Sequence, residues 1–402
     1  MKKLAEEHQK KQEKITLMDC IVEIDDPRSN QGKKHLLKDI LVITILGYVA
    51  GANSNTALEV FGKSMKHTLK NFLLLPYGIP SHDTFGRVLS LIPSKQINEA
   101  ISKWMRSEGN FSKITQIAID GKRLKRSYDK SLGLPATTIV RAWTPESKLI
   151  LGQEKASSKS NEITAIKKLI ETLYLNGAVI SIDAAGCQTD IAAKIKDNGG
   201  EYNLALKKNQ FNTYIKAKVL LDEKMTNIKQ GAKKYTENDY FISHNNSHGR
   251  KEIRKYCVSN DIYEINKLHK WKGLKSIGMV ESERCINGKK SVENRYFLSS
   301  LSVNAKTFAA IVRNHWKIEN SLHHRLDTIF EEDYSRIRNP IAVQNFAFFR
   351  AMAISILERA GPQENSLKMR RFQAATNFQS FMEIASFCGF YRNRNTTGNV
   401  YA

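Results

Sequence analysis

Three acids in this chain sit where their residue types and spacing suit chemistry. Asp120 closes the apolar run Ile117-Ala118-Ile119 and is followed by Gly121-Lys122. Asp183 closes a second apolar run, ending Ser181-Ile182, and is followed by Ala184-Ala185-Gly186. Glu319 lies in the stretch Arg313–Asp327, at the edge of an apolar stripe formed by Ile311, Ile318, Leu322, Leu326 and Ile329. His315 and His323 stand one helical turn on either side of it. Carboxylates gathered without cysteine are hard oxygen ligands and suit Mg²⁺ or Mn²⁺. Two such ions would activate the attacking oxygen and stabilise the leaving oxygen of a phosphodiester. Without a cation, mutual repulsion would raise the pKa of at least one acid.

Each residue also has a plainer reading. An aspartate at a strand end commonly caps a turn. Glu319 is able to pair with Arg325 or Lys317, and Asp327, Glu332 and Asp333 compete for the place of third acid. His315, Glu319 and His323 together would suit zinc, although the His-Glu-x-x-His order is missing. Gly121-Lys122 is not a P-loop, because the leading Gly and the Ser/Thr after Lys are absent. Trp316 suits a core position better than a base-stacking platform.

The elements that must position these acids follow from periodicity. Residues 114–120, 136–143, 148–153, 178–183 and 202–206 read as strands, with helices over about 161–174 and 188–198. The order β-β-β-α-β-α-β predicts a mixed sheet with helices packed on it, the order of an RNase H-like fold. Asp120 and Asp183 then end neighbouring strands, about 4.8 Å apart, and ligand sites in open α/β sheets lie at such ends. Residues 211–305 break the rhythm. After one helix, 234–243, 250–258, 276–286 and 292–301 are strand-like, with turns expected at Asn245-Asn246 and Asn287-Gly288. This reads as a β-rich insertion within a catalytic domain spanning 114–356. The Glu319 segment reads as a continuous helix, and 341–359 as a further apolar one ended by Gly361-Pro362.

Before the catalytic domain, 19–108 reads as a small helical domain, with helices at 35–50, 61–75, 84–91 and 94–105, and Ser81 or Asp83 as a cap. Its alternatives are DNA binding and docking or dimerisation. Residues 1–18 read as a charged tail without a secretory h-region, and 357–402 as a C-terminal tail. The chain has 402 residues and a formal net charge of +23, an excess that points to nucleic acid. Five scattered cysteines argue against a disulfide scaffold or zinc ribbon and fit a reducing cytoplasm. The apolar run 40–51 is too short to span a bilayer, so no membrane partner is expected.

The segments IAIDGKRLKRS, SIDAAGCQ, RNHWKIENSLHHRLD and FEEDYSRIR resemble insertion-sequence transposases of the DDE type, in particular the H-repeat-associated branch. DPR (26–28), HLLKDIL (35–41), GIPSHDTFGRVL (78–89), LGQEKASSKSNEITAI (151–166) and HGRKEIR (248–254) extend the similarity over about residues 20–360. The resemblance implies an RNase H-like core in which Asp120, Asp183 and Glu319 bind two Mg²⁺ or Mn²⁺ ions. It implies cleavage at element ends and transfer of the freed 3′-hydroxyl to target DNA. The implied partners are double-stranded DNA, as terminal inverted repeats and target, and a second copy of the chain in the DNA complex. Lys122, Arg123, Arg250, Arg313, Arg325 and His315 are the expected DNA contacts. The signature of related transposases departs here: its Tyr, Arg and Lys positions hold Val312, His315 and Leu326. The competing functional reading is an inactive relic that still binds element ends.

Overall fold

The computed structural model describes residues 15–29, 33–108, 116–156, 159–231, 235–247, 250–268, 270–286 and 288–391. Its centre is a nine-stranded mixed sheet in the order β3-β2-β1-β4-β5-β9-β8-β7-β6. The strands are β1 (Gln116–Arg123), β2 (Thr138–Thr144), β3 (Leu149–Ala156), β4 (Val179–Ile182), β5 (Glu201–Leu206), β6 (Tyr240–Ser247), β7 (Arg250–Ser259), β8 (Ser276–Ile286) and β9 (Lys289–Ser299). β1–β3 form an antiparallel meander, and β4 and β5 add parallel to β1. Helices Lys159–Thr172 and Thr189–Asp197 supply the crossovers. This is the expected RNase H-like half.

The inserted strands do not form a separate body. β9 pairs antiparallel with β5 through Asn203↔Ser299 and Leu204↔Leu298, so the four-strand meander β6–β9 prolongs the same sheet. Asn245 and Asn246 are not a turn: they pair with Glu252 and Lys251 inside the β6–β7 ladder. β6 is the sheet's edge, where one flank faces solvent and polar residues are tolerated. Asn287 lies outside the described residues, while Gly288 takes the left-handed backbone (φ +78°) of a turn.

The helical region before the sheet shares its hydrophobic core. Helix Leu37–Val49 is buried all round, as its unbroken apolar sequence requires. It packs against helix Pro340–Ala360, which threads between the helical region and β3. Asn345 on that helix donates to the carbonyls of Leu89 (2.8 Å) and Ile92 (2.9 Å). Pro340–Ala360 is long and apolar enough to cross a membrane, yet 83% of its most apolar window is buried inside the protein.

Two expectations are corrected. The helix expected at 61–75 is instead Asn55–Ser64, capped by Ser54, followed by the short turn Lys66–Leu69. Residues 357–402 are not simply a tail, because Leu367–Thr376 and Phe378–Phe387 are packed helices. Phe381 lies 6.1 Å from the Phe61 ring and Phe387 lies 5.8 Å from the Trp104 ring, both pairs edge-on or tilted. Residues 1–14 and 392–402 lie outside the described residues.

Candidate active site

Parallel pairing of β1 with β4 aligns Ala118 with Ser181 and Ile119 with Ile182. The next residues in register are Asp120 and Asp183; Asp183 follows the last residue of β4, whereas the strand expected to end at Asp120 runs on to Arg123, since Gly121, Lys122 and Arg123 stay paired with β2. Asp183 keeps an extended backbone and caps the short turn Ala184–Gly186, accepting from the Ala185 N–H at 3.0 Å. A Cβ at Gly186 would lie 2.3 Å from Ile182 Cγ2, so the turn that fixes Asp183 needs glycine there.

Glu319 arrives on a helix in three parts: α-helical Ala305–Lys317, a π-helical turn Ile318–His323, and α-helical His324–Thr328. Ile318, Leu322 and Leu326 are fully buried, as the apolar stripe predicts. The wide turn is local, and such turns recur at functional sites. Here it presents Glu319 and His323 together to Asp120. His323 Nδ1 lies 3.4 Å from Glu319 Oε2 and 3.5 Å from Asp120 Oδ2. One ligand atom from each of Asp120, Glu319 and His323 falls within 4.8 Å of the others.

A second set of contacts holds this helix to the strand ends. Gln116 Nε2 donates to Ser181 Oγ (2.7 Å) and to the Ile311 carbonyl (2.9 Å). Ser181 Oγ also meets His315 Nδ1 at 3.0 Å. Sequence reading passed over Gln116 and Ser181, although a polar residue inside each apolar strand was a visible signal.

Charge explains the protonation pattern. Burial pushes the Asp120 carboxyl up, and the neighbouring charges of Glu319 and Asp183 push it further. Glu319 is drawn down to about 2 by its hydrogen bond to His323. His315 is pushed down to about 4 by burial, outweighing the acids beside it, and is neutral at pH 7.

The structure sorts the remaining expected residues. Lys122 is not free for DNA: its buried ammonium meets Asp327 (2.7 Å), Asp333 (3.1 Å) and Glu332 (3.3 Å). Those same acids thus face Lys122, whereas Glu319 is the one gathered with Asp120 and His323. Glu332 is also paired with the fully buried Arg141 at 2.6 Å. Arg325 is corrected likewise, since it pairs with Glu358 instead of facing the cleft. His315 turns Nδ1 toward Ser181, and the ligand atoms that gather with those of Glu319 and His323 come from Asp120 and not from His315. Arg123 is exposed and lines the cleft of about 480 Å³ that also contains Glu319, Asn320 and His323. Arg250 begins β7, but its side chain lies outside the described residues.

On the far side of Asn320 lies a second groove of about 340 Å³. Arg254, Arg284, Arg295 and Arg313 line it, three from the inserted strands and one from the Glu319 helix. Glu252 pairs with Arg254 and Arg284, and Glu293 pairs with Arg295. Arg295 covers the Trp316 ring at 4.4 Å, so that ring face is already stacked.

Residues 111–356 match the family described as Transposase DDE domain. Residues 18–105 match one described as DDE_Tnp_1-associated.

The chain belongs to the DDE transposase family.

It is 38% identical over 366 residues to "H repeat-associated putative transposase YhhI" of Escherichia coli K12, covering 89% of this chain and 94% of that protein. It is equally identical, over 378 residues, to "Putative transposase YncI" of E. coli O157:H7, covering 93% and 95%. A third relative, "Putative protein YbfL" of E. coli K12, is 38% identical over 366 residues with 89% and 94% covered. A DDE transposase is a DNA-cutting enzyme of a family that generally uses divalent metal ions, and DNA is its partner. The cluster in this transposase fits such an ion. Asp120 is enclosed between two like charges, and the nearest lysine along the strand, Lys122, is committed elsewhere.

Proposed function

We propose that this transposase cuts the ends of its own mobile element and joins the freed strand to target DNA. In this reading Asp120, Asp183 and Glu319 hold two Mg²⁺ or Mn²⁺ ions. The observation that carries it is the convergence of Asp120 with Glu319 and His323, with Asp183 next in register on the adjacent parallel strand. Asp120, flanked by the charges of both other acids, is the carboxylate placed to serve both ions.

The reaction is two in-line displacements at phosphorus. Water attacks first: a P–O bond forms, the bond to the 3′ oxygen breaks, and the element end is left with a 3′-hydroxyl. That hydroxyl then attacks a target phosphodiester and displaces a target 3′ oxygen. Bound ions supply activation of the attacking oxygen and charge stabilisation of the leaving one. The chain's own residues set the frame. The β1 ladder fixes Asp120, the end of β4 fixes Asp183, and the Gln116–Ser181–His315 contacts fix the helix that carries Glu319. Arg123 beside the cleft, and Arg254, Arg284, Arg295 and Arg313 in the neighbouring groove, are placed to hold DNA phosphates. The helical region 19–108 supplies a further DNA-contacting surface, and two copies of the chain assemble on a pair of ends.

Asp183→Asn tests the site. Cleavage of DNA bearing the terminal inverted repeats should fall below detection, while binding of that DNA stays within about threefold, since one neutralised acid alters few phosphate contacts. A variant that still cuts would remove Asp183 from the site.

A further inference from the structure

His323 is the part of the cluster that a purely carboxylate site does not account for. Its side chain is buried, whereas that of Glu319 is about half exposed. Its polar contacts among the described residues lie on one edge of the ring, where Nδ1 faces Asp120 at 3.5 Å and Glu319 at 3.4 Å. Nε2 is buried and has no hydrogen-bond partner among the described residues. The ring is therefore oriented by what lies between Nδ1 and the two carboxylates.

We propose that His323 is a nitrogen ligand to the ion held by Asp120 and Glu319, and that it tilts this position toward Mn²⁺ over Mg²⁺. The proposal rests on the preceding assignment of Asp120 and Glu319 as ion-binding acids. The argument is steric and electronic. Ligand atoms at neighbouring corners of a divalent ion, each about 2.1–2.2 Å from it, are roughly 3 Å apart. The spacings from Nδ1 to the two carboxylates are slightly wider than that, as expected before an ion draws its ligands in. The ring is buried and turns Nδ1 toward the place where the two acids would gather a cation. A proton on Nδ1 would oppose that cation, whereas the Nδ1 lone pair would bind it, leaving the ring's proton on Nε2. Mg²⁺ keeps a rigid oxygen shell and gives up its water reluctantly, so a nitrogen ligand costs it more than it costs the softer transition ion Mn²⁺. The π-helical turn carries both of the residues that meet Asp120 in this set.

The full chain titrated with Mn²⁺ alone, followed by electron spin echo envelope modulation, tests this without any turnover. Expected is a ¹⁴N modulation from a directly coordinated imidazole, lost in His323→Gln and retained in His315→Gln. Mn²⁺ affinity should fall at least tenfold in His323→Gln while Mg²⁺ affinity changes less than threefold. Mn²⁺ binding that Asp120→Asn abolishes but that shows no nitrogen coupling would overturn the role of His323 and leave the acids in place. So would coupling that persists in His323→Gln. Mn²⁺ binding that neither Asp120→Asn nor Glu319→Gln weakens would overturn both the acid assignment and the inference built on it.

Discussion

Burial raises the Asp120 carboxyl first of all, and the charges of Glu319 and Asp183 raise it further. The place of Asp183 at a strand end before a turn was legible in the sequence; that of Asp120 was not, since β1 continues through Gly121 to Arg123. Glu319 was legible from its place beside the stripe. Lys122 was misread because a lysine next to a catalytic acid looks like a phosphate contact, and only the fold brings Asp327, Glu332 and Asp333 around it. His323 was seen as a neighbour of Glu319, not as a partner of Asp120, since that contact joins residues 203 positions apart. Lys122→Met should leave Asp327 without its cation and take one of two cationic partners from Glu332, which keeps Arg141, and from Asp333, which keeps Lys125. We expect a loss of roughly 3–5 kcal/mol of stability, as for other broken buried pairs, read by urea unfolding at pH 7. An unchanged midpoint would show that the cluster is not held by this ammonium.

At the scale of elements, the segment after the Glu319 helix is pinned by its own charges. Glu331 sits in the left-handed region (φ 53°), and Glu332 beyond it is buried against Arg141. Burial pushes the Glu332 carboxyl up, but Arg141, Lys122 and Arg350 outweigh it and hold the net value below normal. A depressed carboxylate stabilises the fold above its unfolded pKa, and that contribution is lost as pH falls through the folded value. Arg141→Met should therefore be destabilising at pH 7, and its deficit relative to wild type should shrink below about pH 4. A constant deficit from pH 7 to pH 3 would contradict the pairing. Gly186→Ala presses on Ile182, a β-branched residue with little rotamer freedom, one position before Asp183. Displacement of that acid by about 1 Å should lower cleavage on the order of 10²-fold with the fold retained by circular dichroism; unaltered cleavage would mean that the turn yields without moving Asp183. Strand positions in the RNase H-like half followed from periodicity, and the mixed sheet from connection rules. The π-helical turn did not, since one register shift leaves the spacing of apolar residues almost intact.

Across the whole molecule, one core joins regions that the sequence separates. Arg371 lies in the stretch read as a C-terminal tail. It donates to the Tyr48 carbonyl and to Asn53, and covers the Phe330 ring at 4.1 Å. That residue ties the N-terminal helices to the segment behind the active site. The tail reading failed because its apolar residues are spread over two short helices, each stabilised by packing more than by its own propensity. Removing residues 366–391 should expose Phe61 and Trp104 and destabilise the entire protein, seen as a lower unfolding midpoint reported by tryptophan fluorescence. An unshifted midpoint would show that these helices are dispensable. The charge of +23 belongs to this scale as well. DNA affinity should fall steeply with salt, log K dropping by about 0.9 per phosphate contacted for each decade. Arg254→Ala with Arg313→Ala should reduce that slope by about two, and an identical slope would place the groove outside the DNA path.

The most direct test of the central claim is Mg²⁺-dependent nicking of DNA that carries the flanking inverted repeats, with wild type beside Glu319→Gln. Cutting by wild type alone is the predicted result and makes Glu319 the third acid of the site. Cutting by both proteins, or retained binding without cutting by either, would contradict it.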